Sequence, residues 1–319
     1  MAQETEYAIE VDRLTKRYGD LLAVDDMSFS VKKGELFACL GPNGAGKTTT
    51  VEVIETIRAP SSGKVMLLGM DVTKKKQEIV RRIGVLPQGF SSFDRITVKE
   101  TIQYYARLFG GKKPDVNALM ALVNLTEKAG ERYKNLSGGL QQRLGIAIAL
   151  VNDPEVVFLD EPTTGLDPKA RREVWHVLQG LKAQGKTVLL TTHYMEEAEL
   201  LADKVAIISR GKIIALDSPG ELIEKNAGCS ILTLRSADAR VPEILRALGF
   251  QPVLDPDNDK DIKVPVHQND DVREILNAVQ DAGASCSALD LRRPNLEEVF
   301  LKLTGEALHE SAPRGGGAS

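Results

Sequence analysis

The chain has 319 residues, of which 42% are hydrophobic and 27% charged, with a net charge of −4. That length suggests two domains and that balance an ordinary globular protein, while the slight acidity argues against a nucleic-acid-binding arm. No run approaches the roughly 18 apolar residues of a membrane span. The acidic start Met1-Ala2-Gln3-Glu4 is also unlike a signal peptide, so a membrane role has to come through a partner.

Apolar residues over 7–14 and 27–31 read as strands, with turns at Tyr18-Gly19-Asp20 and Lys33-Gly34-Glu35. Tyr18 is either packing or an aromatic placed to stack on an adenine ring. The run from Glu35 to Leu40 then leads into Gly41-Pro42-Asn43-Gly44-Ala45-Gly46-Lys47-Thr48, and Thr49 continues into a helical stretch. Strand, glycine-rich loop and helix is the context a phosphate-binding loop requires. The glycines let successive N–H groups turn toward phosphate oxygens, and the helix start adds unpaired donors and the positive end of its dipole. Lys47 is expected to reach the β- and γ-phosphates, and the Thr48 hydroxyl to bind Mg²⁺. Cys39, in the strand before the loop, reads as core; with Cys229 and Cys286 it makes an odd set without metal-ligand spacing, as in reduced cytoplasmic proteins.

Lys64–Gly69 and Ile83–Leu86 read as strands, and Gln88 follows the second, placed to reach a metal ion at the phosphates. Thr97-Val98-Lys99-Glu100 is a capping box. It opens a helix with Ile102, Tyr105, Ala106 and Phe109 at helical spacing, stopped by Gly110-Gly111, and a second helix runs from about Val116 to Leu125. Residues 90–135 thus read as a helical insertion between strands. Ser137-Gly138-Gly139 precedes a helix from about Leu140 to Val151, a second anion-binding geometry or a plain N-cap.

Val156–Leu159 is a continuous apolar run ending in Asp160 and Glu161, the pattern of a buried parallel strand whose carboxyl end faces a ligand. Asp160 is suited to holding Mg²⁺ or its water. Glu161, pointing the other way from the strand, is suited to accepting a proton from an attacking water. After the turn Gly165-Leu166-Asp167-Pro168 and a helix, Lys186–Thr192 reads as another buried strand that ends at His193, within reach of a γ-phosphate. His176, His267 and His309 read as surface residues. Val205–Ile208 and Lys212–Leu216 form a hairpin about Ser209-Arg210-Gly211.

From about residue 226 the pattern becomes βαββαβ, the order of a ferredoxin-like unit, with Asp255-Pro256-Asp257-Asn258-Asp259 as its central turn. A last helix, Leu296–Leu303, carries Leu296, Val299, Phe300 and Leu303 on one apolar stripe. This unit has no phosphate loop or metal cluster and is expected to serve dimerisation or regulation, unless the stripe packs on its own sheet.

Together these residues resemble the ATPase subunit of an ATP-binding cassette (ABC) transporter over about residues 7–222. The resemblance implies an α/β fold, a P-loop NTPase of ABC type with a mixed-sheet core and a helical subdomain at about 90–155. That nucleotide-binding domain is expected over 1–225, a small α+β ferredoxin-like domain over 226–306, and a disordered tail over 307–319. ATP and Mg²⁺ are the implied cofactors, with Glu161, His193 and Lys47 catalytic. Tyr18, residues 41–49, Gln88, Ser137, Gly138, Gly139 and Asp167 would hold nucleotide, and Thr48, Gln88 and Asp160 the metal. It also implies a homodimer that closes on ATP, each nucleotide lying between the phosphate loop of one copy and Ser137 of the other. A separate transmembrane permease would hold the chain on the cytoplasmic face of the membrane, with no nucleic acid partner.

Leu140 stands where the commonest signature sequence ends in Gln. That departure, and the segment from Pro294 to Gly305, look like the drug-resistance and polyketide-export branch. The implied activity is ATP hydrolysis energising export of a drug, lipid or other hydrophobic or polymeric cargo. The alternatives are a soluble cassette ATPase, which usually carries two cassettes or a coiled-coil insert, and an importer subunit, which seldom resembles this C-terminal segment.

Overall fold

The computed structural model describes residues 6–109, 114–255, 258–267 and 269–305. Gly110-Gly111, Pro256-Asp257, His309 and the tail over 307–319 lie outside the described residues. The chain divides into two compact units, the first running to Glu221 and the second spanning Leu222–Lys302.

The first unit opens with β1 (Tyr7–Tyr18), β2 (Leu21–Lys32), β3 (Leu36–Leu40), α1 (Lys47–Ile54), β4 (Ser62–Leu67), β5 (Met70–Asp71), α2 (Lys76–Val80) and β6 (Ile83–Leu86). The helical insertion holds α3 (Val98–Leu108) and α4 (Val116–Leu122) and is followed by α5 (Gly138–Ala149). Then come β7 (Val156–Asp160), α6 (Pro168–Ala183), β8 (Thr187–Thr192), α7 (Met195–Leu201), β9 (Lys204–Ser209), β10 (Lys212–Asp217) and α8 (Pro219–Asn226), which crosses into the second unit.

Six strands form one mixed sheet in the order β10-β9-β3-β8-β7-β6, parallel except for the β9–β10 hairpin. A second, antiparallel sheet has the order β2-β1-β4-β5. Every residue of β3, β7 and β8 is buried, which is why these strands read as unbroken apolar runs. Their side chains alternate between two cores. Val157, Leu159, Val188 and Leu190 pack with α5 and α6, whereas Val156, Phe158, Leu189 and Cys39 pack with α1 and the antiparallel sheet. The parallel register brings the carboxyl ends of β3, β7 and β8 side by side, the place where open α/β sheets bind ligands.

Several boundaries differ from the sequence pattern. The Thr97 capping box forms as expected, but α3 buries Val98, Thr101 and Ile102, while Phe109 is its exposed C-cap rather than part of the buried stripe. α4 stops at Leu122, and Leu125 is buried without being helical. α5 starts earlier than Leu140 because Ser137 is its N-cap. The short helices α2 and α7 have no counterpart in the sequence reading.

The second unit contains β11 (Ser230–Arg235), α9 (Val241–Ala247), β12 (Val253–Asp255), β13 (Asn258–Val266), α10 (Asn269–Asp281), β14 (Ala288–Arg292) and α11 (Leu296–Thr304). Its sheet is antiparallel throughout, in the order β12-β13-β11-β14. Leu232, Leu234, Ile262 and Val264 pack with Val241, Leu245, Ile275 and Val279 into a separate core. Leu296, Val299 and Phe300 are buried within the chain, so most of the apolar stripe of α11 is covered without a second copy.

Candidate functional site

The phosphate loop is threaded between neighbours that leave no room for side chains at two of its glycines. A Cβ at Gly41 would lie 2.2 Å from the Ile208 carbonyl oxygen, and one at Gly46 would lie 2.4 Å from that of Ala23. Gly46 also has φ +101°, a conformation costly for any other residue. The loop is pinned by Gly41 N donating to Thr192 O at 3.3 Å, Ala45 N to Pro42 O at 3.2 Å, and Gly211 N to Ala45 O at 3.0 Å. Gly46 caps α1 without a side-chain hydrogen bond, so the first-turn N–H groups have no side-chain acceptor competing with an anion.

The Lys47 side chain curls back over the loop. Its Nζ donates to Gly41 O at 2.7 Å and Pro42 O at 3.1 Å and lies 3.5 Å from Glu161 Oε1. Burial pushes its pKa down, against the pull of the Glu161 and Asp160 charges.

Asp160 closes β7 and receives two hydroxyls. Thr48 Oγ1 lies 3.2 Å and 3.3 Å from its two oxygens, and Thr191 Oγ1, from the neighbouring strand, donates to Oδ1. Burial raises the Asp160 pKa despite these bonds. Glu161 leaves the strand with φ +48°, so it no longer follows the alternation of β7. A left-handed residue other than glycine costs about 1–2 kcal/mol and marks a position where geometry matters. Its N–H is fixed by Thr191 O at 3.1 Å and Thr191 Oγ1 at 3.0 Å.

The buried Glu161 carboxylate is the hub of the site. Oε2 accepts from Gln88 Nε2 at 3.0 Å and from Thr164 Oγ1 at 3.1 Å, and His193 Nδ1 lies 3.4 Å away. The His193 ring, followed by the Lys47 charge, holds the Glu161 pKa down to about 2, with burial opposing them.

Beside this cluster opens a cavity of about 610 Å³ that brings together Tyr18, Asn43, Gly44, Gly46, Lys47, Thr48, Thr49, Gln88 and Glu161. Gly41, Pro42 and Ala45 support the loop from behind, and Asp160 and His193 adjoin through Thr48 and Glu161. Tyr18 is 37% exposed at the rim, with Lys16 Nζ 5.1 Å and Arg58 Cζ 5.3 Å from its ring centroid. Leu21, Leu22, Ala23, Arg210 and Gly211 complete the lining and were not marked by the sequence motifs. The β9–β10 turn carries Arg210 with φ +49°, and only the adjacency of β9 to β3 places it here.

Ser137, Gly138, Gly139 and Asp167 are not among the cavity's lining residues. Ser137 is exposed and accepts from Leu140 N at 3.5 Å. Asp167 is the exposed N-cap of α6, its Oδ1 accepting from Lys169 N at 3.0 Å and Ala170 N at 2.9 Å. Among the described residues His176 and His267 are exposed, and Cys39 is buried with its thiol pKa pushed up to about 12 by that burial.

A glycine loop holding a buried lysine, at the carboxyl ends of a parallel sheet with Asp160 and Glu161 on the next strand but one, defines a P-loop nucleotide hydrolase. Residues 24–164 match the ABC transporter family model. The chain is 40% identical over 318 residues to the Nod factor export ATP-binding protein I of Burkholderia orbicola, spanning 95% of this chain and 98% of that protein. It is 38% identical over 308 residues to the protein of the same name from Mesorhizobium japonicum, spanning 95% and 88%. A solved dimer of an ATP-binding cassette in a post-hydrolysis state, bound to ADP and Pi, is 25% identical with a TM-score of 0.59, over 66% of this chain and 98% of that one. The chain belongs to the ABC transporter family, as an ATP-binding subunit with the ATPase fold of that family. No helix among the described residues is long and apolar enough to cross a membrane.

Proposed function

We propose that this chain binds Mg²⁺-ATP in the cavity at the phosphate loop and hydrolyses it as one of two facing copies, energising export through a separate permease. The observation that carries this reading is the convergence of Lys47 and His193 on the Glu161 carboxylate, at 3.5 Å and 3.4 Å, beside a glycine loop. Lys47 and His193 would hold the γ-phosphate, the loop N–H groups and Thr49 the remaining phosphates, and Tyr18 the adenine. His193 and Lys47 hold the Glu161 carboxyl ionised, the form that can orient the attacking water and accept its proton as the bond to phosphorus forms.

The donors near Thr48 fit Mg²⁺. Its hydroxyl, the Asp160 carboxylate and the Gln88 side-chain oxygen are the hard oxygen set that ion prefers, with phosphates completing the shell. When bound, Mg²⁺ would neutralise charge on the transferring phosphoryl group.

Two features support the partners. Ser137 and Gly138 of the signature turn are exposed and, like the buried Gly139, do not line the cavity of their own chain, as expected if the turn completes the site of a second copy. The helical insertion exposes Phe93, Tyr104, Leu108 and Phe109, an apolar surface fit for a permease docked at the cytoplasmic face of the membrane. The relatives are named for Nod factor export; for this chain we propose a hydrophobic or polymeric cargo. We read residues 1–225 as the nucleotide-binding domain, with about 90–155 as its helical subdomain, and 226–306 as a ferredoxin-like accessory domain, whose β12-β13-β11-β14 order supports that assignment.

Affinity capture of the tagged full chain from detergent-solubilised membranes tests the export reading. A multispanning membrane protein should copurify and stimulate ATP hydrolysis in reconstituted vesicles. Recovery of an active ATPase from cytosol alone, with no membrane partner, would favour the soluble ATPase instead.

A further inference from the structure

The segment after Glu161 and the turn that carries His193 meet on one buried carboxyl group. Glu197, in α7, is fully buried. Its Oε1 accepts from Thr163 Oγ1 at 2.9 Å and from Trp175 Nε1 of α6 at 3.0 Å. Thr163 lies between Glu161 and Thr164, the residue that donates to Glu161 Oε2 at 3.1 Å. On the other side the carboxyl lies by the Thr192 hydroxyl, which accepts from Tyr194 N at 2.9 Å, so His193 is bracketed by a turn resting on Glu197. The Tyr194 ring lies 4.2 Å from the His193 ring, with the Arg171 guanidinium of α6 4.0 Å from its centroid.

We propose that Glu197 is a positioning residue for ATP hydrolysis: its carboxyl ties the segment following Glu161 to the turn carrying His193 and fixes how those two groups face the γ-phosphate. The inference rests on the roles proposed above for Glu161 and His193. Two observations favour positioning over simple packing. The acid joins elements that each bring one group to the site. Removing it would leave the buried Thr163 hydroxyl and Trp175 indole without their acceptor. Burial pushes the Glu197 pKa up, against the hydroxyl and indole donors around it, and glutamine, equal in size and with an acceptor oxygen, is its close mimic.

The test is steady-state Mg²⁺-ATPase of the full chain, reading kcat and KM separately. Glu197→Leu should lower kcat by about tenfold or more while KM for ATP stays within about twofold, since misplacement of reacting groups is felt in turnover. Glu197→Gln, which keeps an acceptor oxygen, should remain within about threefold of the parent kcat. A parent-like kcat for Glu197→Leu, equal losses in Leu and Gln, or a matching rise in KM would overturn the proposal. Should Glu197→Leu fail to fold, Thr163→Val decides: a fall in kcat at unchanged KM supports the clamp, and parent-like turnover rejects it. Glu161→Gln in the same assay separates the two readings, because full activity there would reject the Glu161 role whatever Glu197 does.

Discussion

Two helices of this molecule, α1 and α5, begin at glycine-rich turns of the kind that bind anions, yet the turns are built differently. The turn before α1 is enclosed: Gly41 and Gly46 press against the carbonyls of Ile208 and Ala23, Lys47 folds over it, and Asp160 and Glu161 stand across from it. The turn before α5 is open. A Cβ at Gly138 would meet only a Leu166 methyl at 3.6 Å, although one at Gly139 would lie 2.6 Å from the Ala170 Cβ. Composition cannot distinguish a complete site from half of one. What separates them is whether the chain's own strands deliver charged groups to the turn: both helices pack on β7 and β8, but only the turn before α1 has Asp160 and Glu161 against it.

The largest effect should come from the enclosed turn's chemistry. Glu161→Gln keeps the side-chain volume and the phosphate contacts but removes the carboxylate, and should lower turnover by about 10²–10⁴ while nucleotide binding persists. Single-turnover hydrolysis alongside fluorescent-nucleotide binding checks this. Activity within a few-fold of the parent would remove Glu161 from the mechanism.

Glycine-to-alanine changes probe the two turns directly. Gly46→Ala forces φ +101° on an alanine and drives its methyl into Ala23, so ATP affinity should fall by about ten- to a hundredfold, the equivalent of roughly 1–3 kcal/mol of backbone strain. Gly138→Ala should leave ATP binding by the single chain unchanged. Equal losses of affinity would show that both turns serve the same nucleotide within one copy, and the contrast would collapse.

How much of this was legible beforehand follows from the same physics. β3, β7 and β8 are buried on both faces, so their apolar runs and the chemistry at their ends stand out in the sequence. The direction of Glu161 did not, because strand alternation fails where φ turns positive. Thr191 and Arg210 came to the site through strand order, β8 beside β7 and β9 beside β3, which no local pattern encodes. α7, with seven residues, is too short for helical periodicity to declare itself, and Glu197 was hidden with it.

The open turn is tested by bulk. Ser137→Arg, introduced into the Glu161→Gln chain, should leave ATP binding intact but weaken ATP-dependent dimers by at least about tenfold, since the long side chain would fill the space where the second copy's nucleotide is proposed to dock. Light scattering with and without ATP reads this out. Undiminished dimers in the double variant would end the idea that Ser137 faces a second copy's nucleotide.

The smallest effect asks what Ser137 contributes to its own helix. Its hydrogen bond from Leu140 N is long, at 3.5 Å, and no reciprocal glutamate completes a box. Thr97 offers the internal control: Glu100 N donates to its Oγ1 at 3.3 Å, and Glu100 Oε2 accepts from the Thr97 backbone N–H at 2.8 Å. Thr97 is half-buried and Ser137 exposed, so burial works in the same direction as the cap geometry. Loss of a cap typically costs about 0.5–2 kcal/mol, and the weaker geometry places Ser137→Ala near about 0.5 kcal/mol, with Thr97→Ala at the upper part of that range. Urea unfolding without nucleotide should therefore shift more for Thr97→Ala than for Ser137→Ala. If instead Ser137→Ala destabilised the chain as much as Thr97→Ala, capping alone would account for a serine at this position, and its exposure would need no second copy to explain it.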